Sequence, residues 1–263
     1  MLKKRLITAA WALAILILFL WLGRPWLSFL FAFGALVSFH EFYKLGISDK
    51  ALPPKIFGLL WTGLFVLSPL FRNPLALPVL ITTAVVFSLL FNLRRSDTGL
   101  LREWAWNLAG IFYIGWFLSR YVALLDFDSG REFVTLILFT TFGCDTASYF
   151  IGKYFGKKKM YPRLSPGKTW EGSIAGFFAS IASVFILSAF LKLGISFYHQ
   201  IALGILIGIF AQLGDLVESM FKRGAGVKDA GIILPGHGGL LDRVDSMIFA
   251  GVVSYYYIMF VVL

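Results

Sequence analysis

The chain has 263 residues, 59% of them hydrophobic and 14% charged, with a mean hydropathy of +0.81. Apolar runs of about 20 residues recur along it, which excludes an ordinary soluble domain and points to a polytopic membrane protein. The net charge of +10 falls in short loops between those runs, a placement that suits orientation in a bilayer and anionic lipid rather than nucleic acid.

The runs are continuously apolar rather than alternating, so the expected fold is all-α, with about nine transmembrane helices rather than a barrel. They lie near residues 7–23, 26–43, 56–71, 75–92, 105–124, 133–152, 173–191, 200–220 and 246–263. The first has the basic start and apolar core of a signal peptide. Arg24-Pro25-Trp26 follows where a small-residue cleavage site would stand, so it reads as a retained span. Most tryptophans sit near span ends, as interfacial anchors do. With these spans, 19 of the 24 Lys and Arg residues fall on one side, and Arg24, Arg72, Arg120, Arg131 and Lys192 on the other. That asymmetry predicts an odd number of spans with a cytoplasmic N-terminus.

Residues 1–130 carry few intramembrane charges and read as scaffold, lipid-facing wall or dimer surface. His40-Glu41 hints at a zinc motif, but Lys44 stands where the second histidine of HExxH belongs. The pair reads instead as interfacial polar residues ending the second span. Cys144, the single cysteine, lies in an apolar run, can form no intramolecular disulfide and reads as a small buried hydrophobe.

Residues 131–263 read as the catalytic part. Asp145 lies well inside the sixth span, with Tyr149 and Lys153 at i+4 and i+8, and a carboxylate at that depth must face a partner or a wet cavity. Lys157, Lys158 and Lys159 read as a solvated or lipid-facing basic run. In SPGKTWEG, Ser165–Gly172, the Gly167-Lys168-Thr169 triplet ends like a phosphate-binding P-loop. Pro162 occupies the position of the required first glycine, so that match fails. What remains is a Ser-Pro-Gly turn entering the seventh span, with Lys168 near a helix N-terminus that suits a phosphate or is plainly capped.

The densest polar stretch is Gln212–Asp245. On a continuing helix Asp215, Ser219 and Lys222 share one face, and Glu218 with Lys222 makes an ordinary i, i+4 ion pair. Glycines at 224, 226, 236, 238 and 239 break the helix and allow close backbone approach to a ligand before Asp242, Arg243 and Asp245 open the last span. Carboxylates with lysines, arginines and glycine loops suit metal-assisted phosphoryl or nucleotidyl transfer. Intramembrane carboxylates also mark ion-coupled transporters, and a structural network is the third reading.

The run Ser219-x2-Lys222-Arg223-x4-Lys228-Asp229-x7-His237-Gly238-Gly239-x2-Asp242-Arg243-x-Asp245 resembles the signature of the phosphatidate cytidylyltransferases (CDP-diacylglycerol synthases). SPGKTWEG and the Asp145 segment resemble segments of the same family. The resemblance implies transfer of CMP from CTP to phosphatidic acid in phospholipid biosynthesis. The expected location is a bacterial inner membrane, with the Lys and Arg asymmetry putting the polar loops of the site on the cytoplasmic side. The resemblance also implies Mg²⁺ held by Asp215 and Asp242, with a second, monovalent cation as an option. Lys222, Arg223, Lys228 and Arg243 would bind CTP or lipid phosphates, with Asp229 and His237 beside them in the catalytic set. Asp145, Lys168, Glu171, Ser219 and Asp245 would shape the substrate site. CTP, phosphatidic acid, the bilayer and a second copy of the chain are the expected partners. Another lipid phosphate, such as an ether-lipid phosphate, is the rival acceptor.

Overall fold

The computed structural model describes residues 2–47, 52–93, 99–231, 233 and 238–262. These residues are nearly all helical: α1 (Leu2–Leu22), α2 (Trp26–Gly46), α3 (Leu52–Leu67), α4 (Ala76–Asn92), α5 (Leu100–Gly110), α6 (Phe117–Leu124), α7 (Gly130–Phe155), α8 (Trp170–Leu191), α9 (Phe197–Gly224) and α10 (Leu241–Tyr257). A 3-10 turn, Ser68–Phe71, extends α3, and a π-helical turn, Ile111–Trp116, joins α5 to α6 without a break. Six helical stretches among them are long and apolar enough to cross a bilayer: Trp26–Gly46, Pro53–Phe71, Gly130–Phe155, Trp170–Leu191, Phe197–Gly224 and Leu241–Val262. Ile7–Leu22 and Ala76–Asn92 are shorter apolar helices. This is a membrane protein.

One feature departs from the all-α expectation. Lys159–Tyr161 (β1) and Ser165–Thr169 (β2) pair as an antiparallel hairpin, with Lys159 opposite Thr169 and Tyr161 opposite Ser165. The expected turn at Ser165–Gly167 is therefore a strand. Pro166 supplies the reason, because the residue before a proline is driven into extended conformations. The helix begins only after Thr169, whose Oγ1 caps it by accepting the Gly172 N–H at 3.2 Å.

The chain forms two compact units. One comprises Met1–Ala123 with Asp229–Arg243, the other Leu124–Lys228 with Val244–Leu263.

In the first unit, aromatic rings and small residues set the helix contacts. The Trp106 indole stacks on Phe42, centroids 4.6 Å apart, and its Nε1 donates to the Phe42 carbonyl at 3.0 Å. Gly46 leaves room for that indole, and Gly110 lies against the rings of Phe39 and Phe42. Asn107 Nδ2 donates to the Pro54 carbonyl at 2.7 Å, tying α5 to the start of α3.

The second unit is held by close backbone approach along α7, α8 and α9. A Cβ on Gly172 would stand 2.6 Å from the Ser148 carbonyl oxygen and 3.0 Å from the Gly152 Cα. One on Gly204 would stand 2.6 Å from the Ile181 Cα, and Ser180 Oγ donates across the same seam to the Gly204 carbonyl at 2.7 Å. Small residues do this work in a bilayer because lipid is as apolar as leucine, so helices gain by packing closely rather than by leaving solvent. Large apolar side chains such as Phe178, Ile186 and Phe190 are exposed, as a lipid-facing surface requires.

Candidate active site

Helix α9 carries Asp215, Glu218, Ser219 and Lys222 at three- and four-residue spacings, so their side chains share a face. The helix continues to Gly224 as the sequence suggests, and the ion pair between Lys222 and Glu218 is formed. Glu218 is fully buried. Gly214 lies close to the Asp245 carbonyl oxygen, so the missing side chain lets the first turns of α10 approach α9.

That approach gathers three carboxylates. Oxygens of Asp215, Glu218 and Asp245 all lie within 4.8 Å of one another, with Glu218 and Asp245 buried. Lys168 reaches in from β2, its Nζ 2.8 Å from Asp215 Oδ2 and 3.4 Å from the Gln212 carbonyl oxygen. Ser219 Oγ donates to Asp215 Oδ1 at 3.4 Å, and Ser246 Oγ donates to Asp145 Oδ1 at 3.4 Å. Five expected site residues therefore meet in this unit: Asp145, Lys168, Asp215, Ser219 and Asp245. Glu218, read from sequence only as an ion-pair partner, joins the acidic cluster. Its position three residues after Asp215 was the available signal.

The hairpin that delivers Lys168 is itself anchored. Arg223 donates from Nε to the Leu164 carbonyl and from Nη1 to the Val227 carbonyl, both at 3.1 Å. Glu171 accepts the Lys158 N–H at 3.2 Å, fixing the entry to β1. Arg223→Ala is expected to speed tryptic cleavage within Lys157–Arg163, which limited proteolysis with mass mapping would read. Arg223→Lys should not restore protection, because an ammonium lacks the planar fork that serves two carbonyls at once.

Asp242, expected beside Asp215, belongs to the other unit. Its carboxylate accepts the N–H groups of Gly239 at 2.8 Å and Ala230 at 3.0 Å. Glu41 lies with it. By sequence Glu41 is an interfacial residue ending a span, yet it is 2% exposed and its Oε2 accepts the Leu241 N–H at 2.8 Å. Nothing local marks Glu41 for this part, since its partner lies 200 residues away. Lys228, Asp229 and Arg243 are exposed, and His237 lies outside the described residues.

The donor set suits a hard divalent cation. All three groups offer oxygen, two of them buried, and three carboxylates against Lys168 and Lys222 leave an excess of negative charge.

Over residues 3–261 the sequence matches the group described as the cytidylyltransferase family. The chain belongs to that family. Among its relatives is a phosphatidate cytidylyltransferase of Bacillus subtilis (strain 168), 29% identical over 253 residues that span 94% of each chain. Another, from Brucella suis biovar 1 (strain 1330), is 34% identical over 259 residues, 97% of this chain and 92% of the relative. Phosphatidate cytidylyltransferase 4, chloroplastic, of Arabidopsis thaliana is 32% identical over 255 residues, 84% of this chain and 64% of its own. The family resemblance read from the signature is thus borne out, and the chain is a nucleotidyltransferase.

Proposed function

We propose that this cytidylyltransferase-family chain transfers CMP from CTP to phosphatidic acid, releasing pyrophosphate and forming CDP-diacylglycerol. The observation that carries the reading is the cluster of Asp215, Glu218 and Asp245 with Lys168 salt-bridged to it. A membrane protein with that cluster has the groups a phosphoanhydride needs, next to the phase that holds the lipid. In the reaction a phosphate oxygen of phosphatidate bonds to the α-phosphorus of CTP, and the bond from that phosphorus to the bridging oxygen breaks, freeing pyrophosphate. The attacking phosphate is already anionic near neutral pH, so the site has to position and neutralise rather than remove a proton.

Asp215, Glu218 and Asp245 are the residues of the cluster that would hold Mg²⁺, which when bound neutralises phosphate oxygens, and the resemblance gives Asp242 the same metal-holding role. Lys168 and Lys222 stand ready to exchange carboxylate partners for phosphate. Ser219 orients the Asp215 carboxylate through its hydrogen bond. Asp242, Asp229, His237, Arg243, Arg223 and Lys228 are assigned to the site by the signature they belong to. A pocket of about 350 Å³ between α8 and α9, lined by Ile174, Phe177, Phe178, Ile209, Leu213 and Gln212, suits an acyl chain. The Gln212 carbonyl also accepts from Lys168, so the apolar pocket and the charged cluster adjoin. In this reading the chain crosses a bacterial inner membrane nine times, with the site on the cytoplasmic side where Lys and Arg concentrate.

Detergent-purified protein should release pyrophosphate only when CTP, Mg²⁺ and phosphatidic acid are all present. Release with a different lipid phosphate but none with phosphatidic acid would overturn the acceptor. Activity confined to sealed vesicles carrying an ion gradient would instead favour a transporter.

A further inference from the structure

Glu41 on α2 has no part in the signature, yet three observations in the first unit converge on it. Its Oε2 accepts the N–H of Leu241, the first residue of α10, at 2.8 Å. A Cβ on Gly239 would stand 2.6 Å from that same oxygen, and one on Gly231 would stand 2.7 Å from the carboxyl carbon. Both glycines are thus shaped to a carboxylate lying between them. Asp242 accepts the N–H groups of Ala230 and Gly239, in the same two stretches of chain. Two carboxylates therefore clasp the described ends of the signature segment, Ala230–Gly231 and Gly239–Leu241.

The chemistry fits that use. Leu241 presents one of the N–H groups that a helix leaves without an intrahelical acceptor, and a carboxylate is a strong acceptor for it. A buried charged group is ordinarily expensive, and at 2% exposure Glu41 has the Leu241 N–H on Oε2 while Oε1 is buried without a hydrogen-bond partner among the described residues, so its place beside the helix start is held at a cost.

We infer that Glu41 is a positioning residue for the cytidylyltransfer reaction: it fixes the start of α10 beside Gly231 and Gly239, and through it the carboxylate of Asp242. The inference rests on the reading of Asp242 as a carboxylate that holds Mg²⁺, the role the family resemblance implies for it. Outer partners of this kind change metal affinity or activity by about 10- to 100-fold when removed. Glu41→Ala should therefore raise the Mg²⁺ concentration for half-maximal activity and the KM for CTP by about tenfold or more. Glu41→Gln keeps an acceptor oxygen and should return both values toward those of the unaltered protein.

The assay is pyrophosphate release by the full chain in detergent, with size-exclusion and thermal unfolding run on each variant. Unchanged KM and Mg²⁺ dependence in folded Glu41→Ala would overturn the inference. So would an activity loss that only follows the folded fraction, or a Glu41→Gln protein as impaired as Glu41→Ala. Should Glu41→Ala not fold, Glu41→Asp, whose shorter side chain withdraws from Leu241, is read by the same two parameters. Asp242→Asn in parallel separates the levels. Full activity there overturns the reading of Asp242, whereas an impaired Asp242→Asn beside unaltered Glu41 variants overturns the role of Glu41 alone.

Discussion

Asp215→Ala is expected to reduce CTP- and phosphatidate-dependent pyrophosphate release by more than about 100-fold, beyond the range usual for outer partners of a metal site. Asp215 is the member of the acidic cluster that also engages Lys168 and Ser219, so its loss removes one carboxylate of the proposed cation site and the counter-charge of the lysine together. The remaining Glu218 and Asp245 are buried, and two close buried carboxylates without their third partner hold a cation less well. Steady-state rates at several Mg²⁺ concentrations check the expectation. Recovery of full rate at high Mg²⁺ would mean that Asp215 only tunes affinity, and an unchanged rate at all concentrations would remove it from the site. Asp215→Asn is the companion variant, since it preserves shape while removing the charge that pairs with Lys168.

Gly172→Val should act on stability rather than on chemistry. Its Cβ would meet the Ser148 carbonyl oxygen at 2.6 Å and the Gly152 Cα at 3.0 Å, both of them backbone atoms of α7. No side-chain rotation relieves that contact, so α7 and α8 must move apart along their most extensive seam. Overpacking of a tight interior costs about 1–3 kcal/mol, which for a chain of this size lowers Tm by about 2–12 °C. Thermal unfolding in detergent measures it. Gly167→Val serves as the control, because nothing lies within 4 Å of a Cβ there and its Tm should not shift. Equal shifts in the two variants would show that the seam is not the weak point.

The helices were legible because hydrophobicity over about 20 residues is a strong signal in a membrane chain. The hairpin was not. Ser165–Thr169 offers five residues with no alternation, and the one local cue, Pro166 forcing its predecessor to extend, is shared with ordinary turns. Within the site, Asp215, Ser219 and Lys222 could be placed on one face from spacing alone, whereas the convergence of Asp245 on Asp215 depends on Gly214, whose significance appears only once two helices meet. Lys168 reads from sequence as a residue near a helix end that suits a phosphate or is plainly capped, and its carboxylate partner 47 residues on has no signal in the spacing. Glu41 was misjudged for the same reason. Polar contacts between helices carry no periodicity.

The division of the chain has a consequence for how it is made. Asp229–Arg243 folds with residues 1–123, and Val244–Leu263 folds with residues 124–228, so the backbone passes between the units three times. The first unit cannot be completed before Arg243 has been synthesised, nor the second before Val244–Leu263. Helix α2 must wait through the translation of about 200 further residues before Leu241 arrives to engage Glu41. Until then the carboxylate of Glu41 lacks the Leu241 N–H that it accepts in the folded chain.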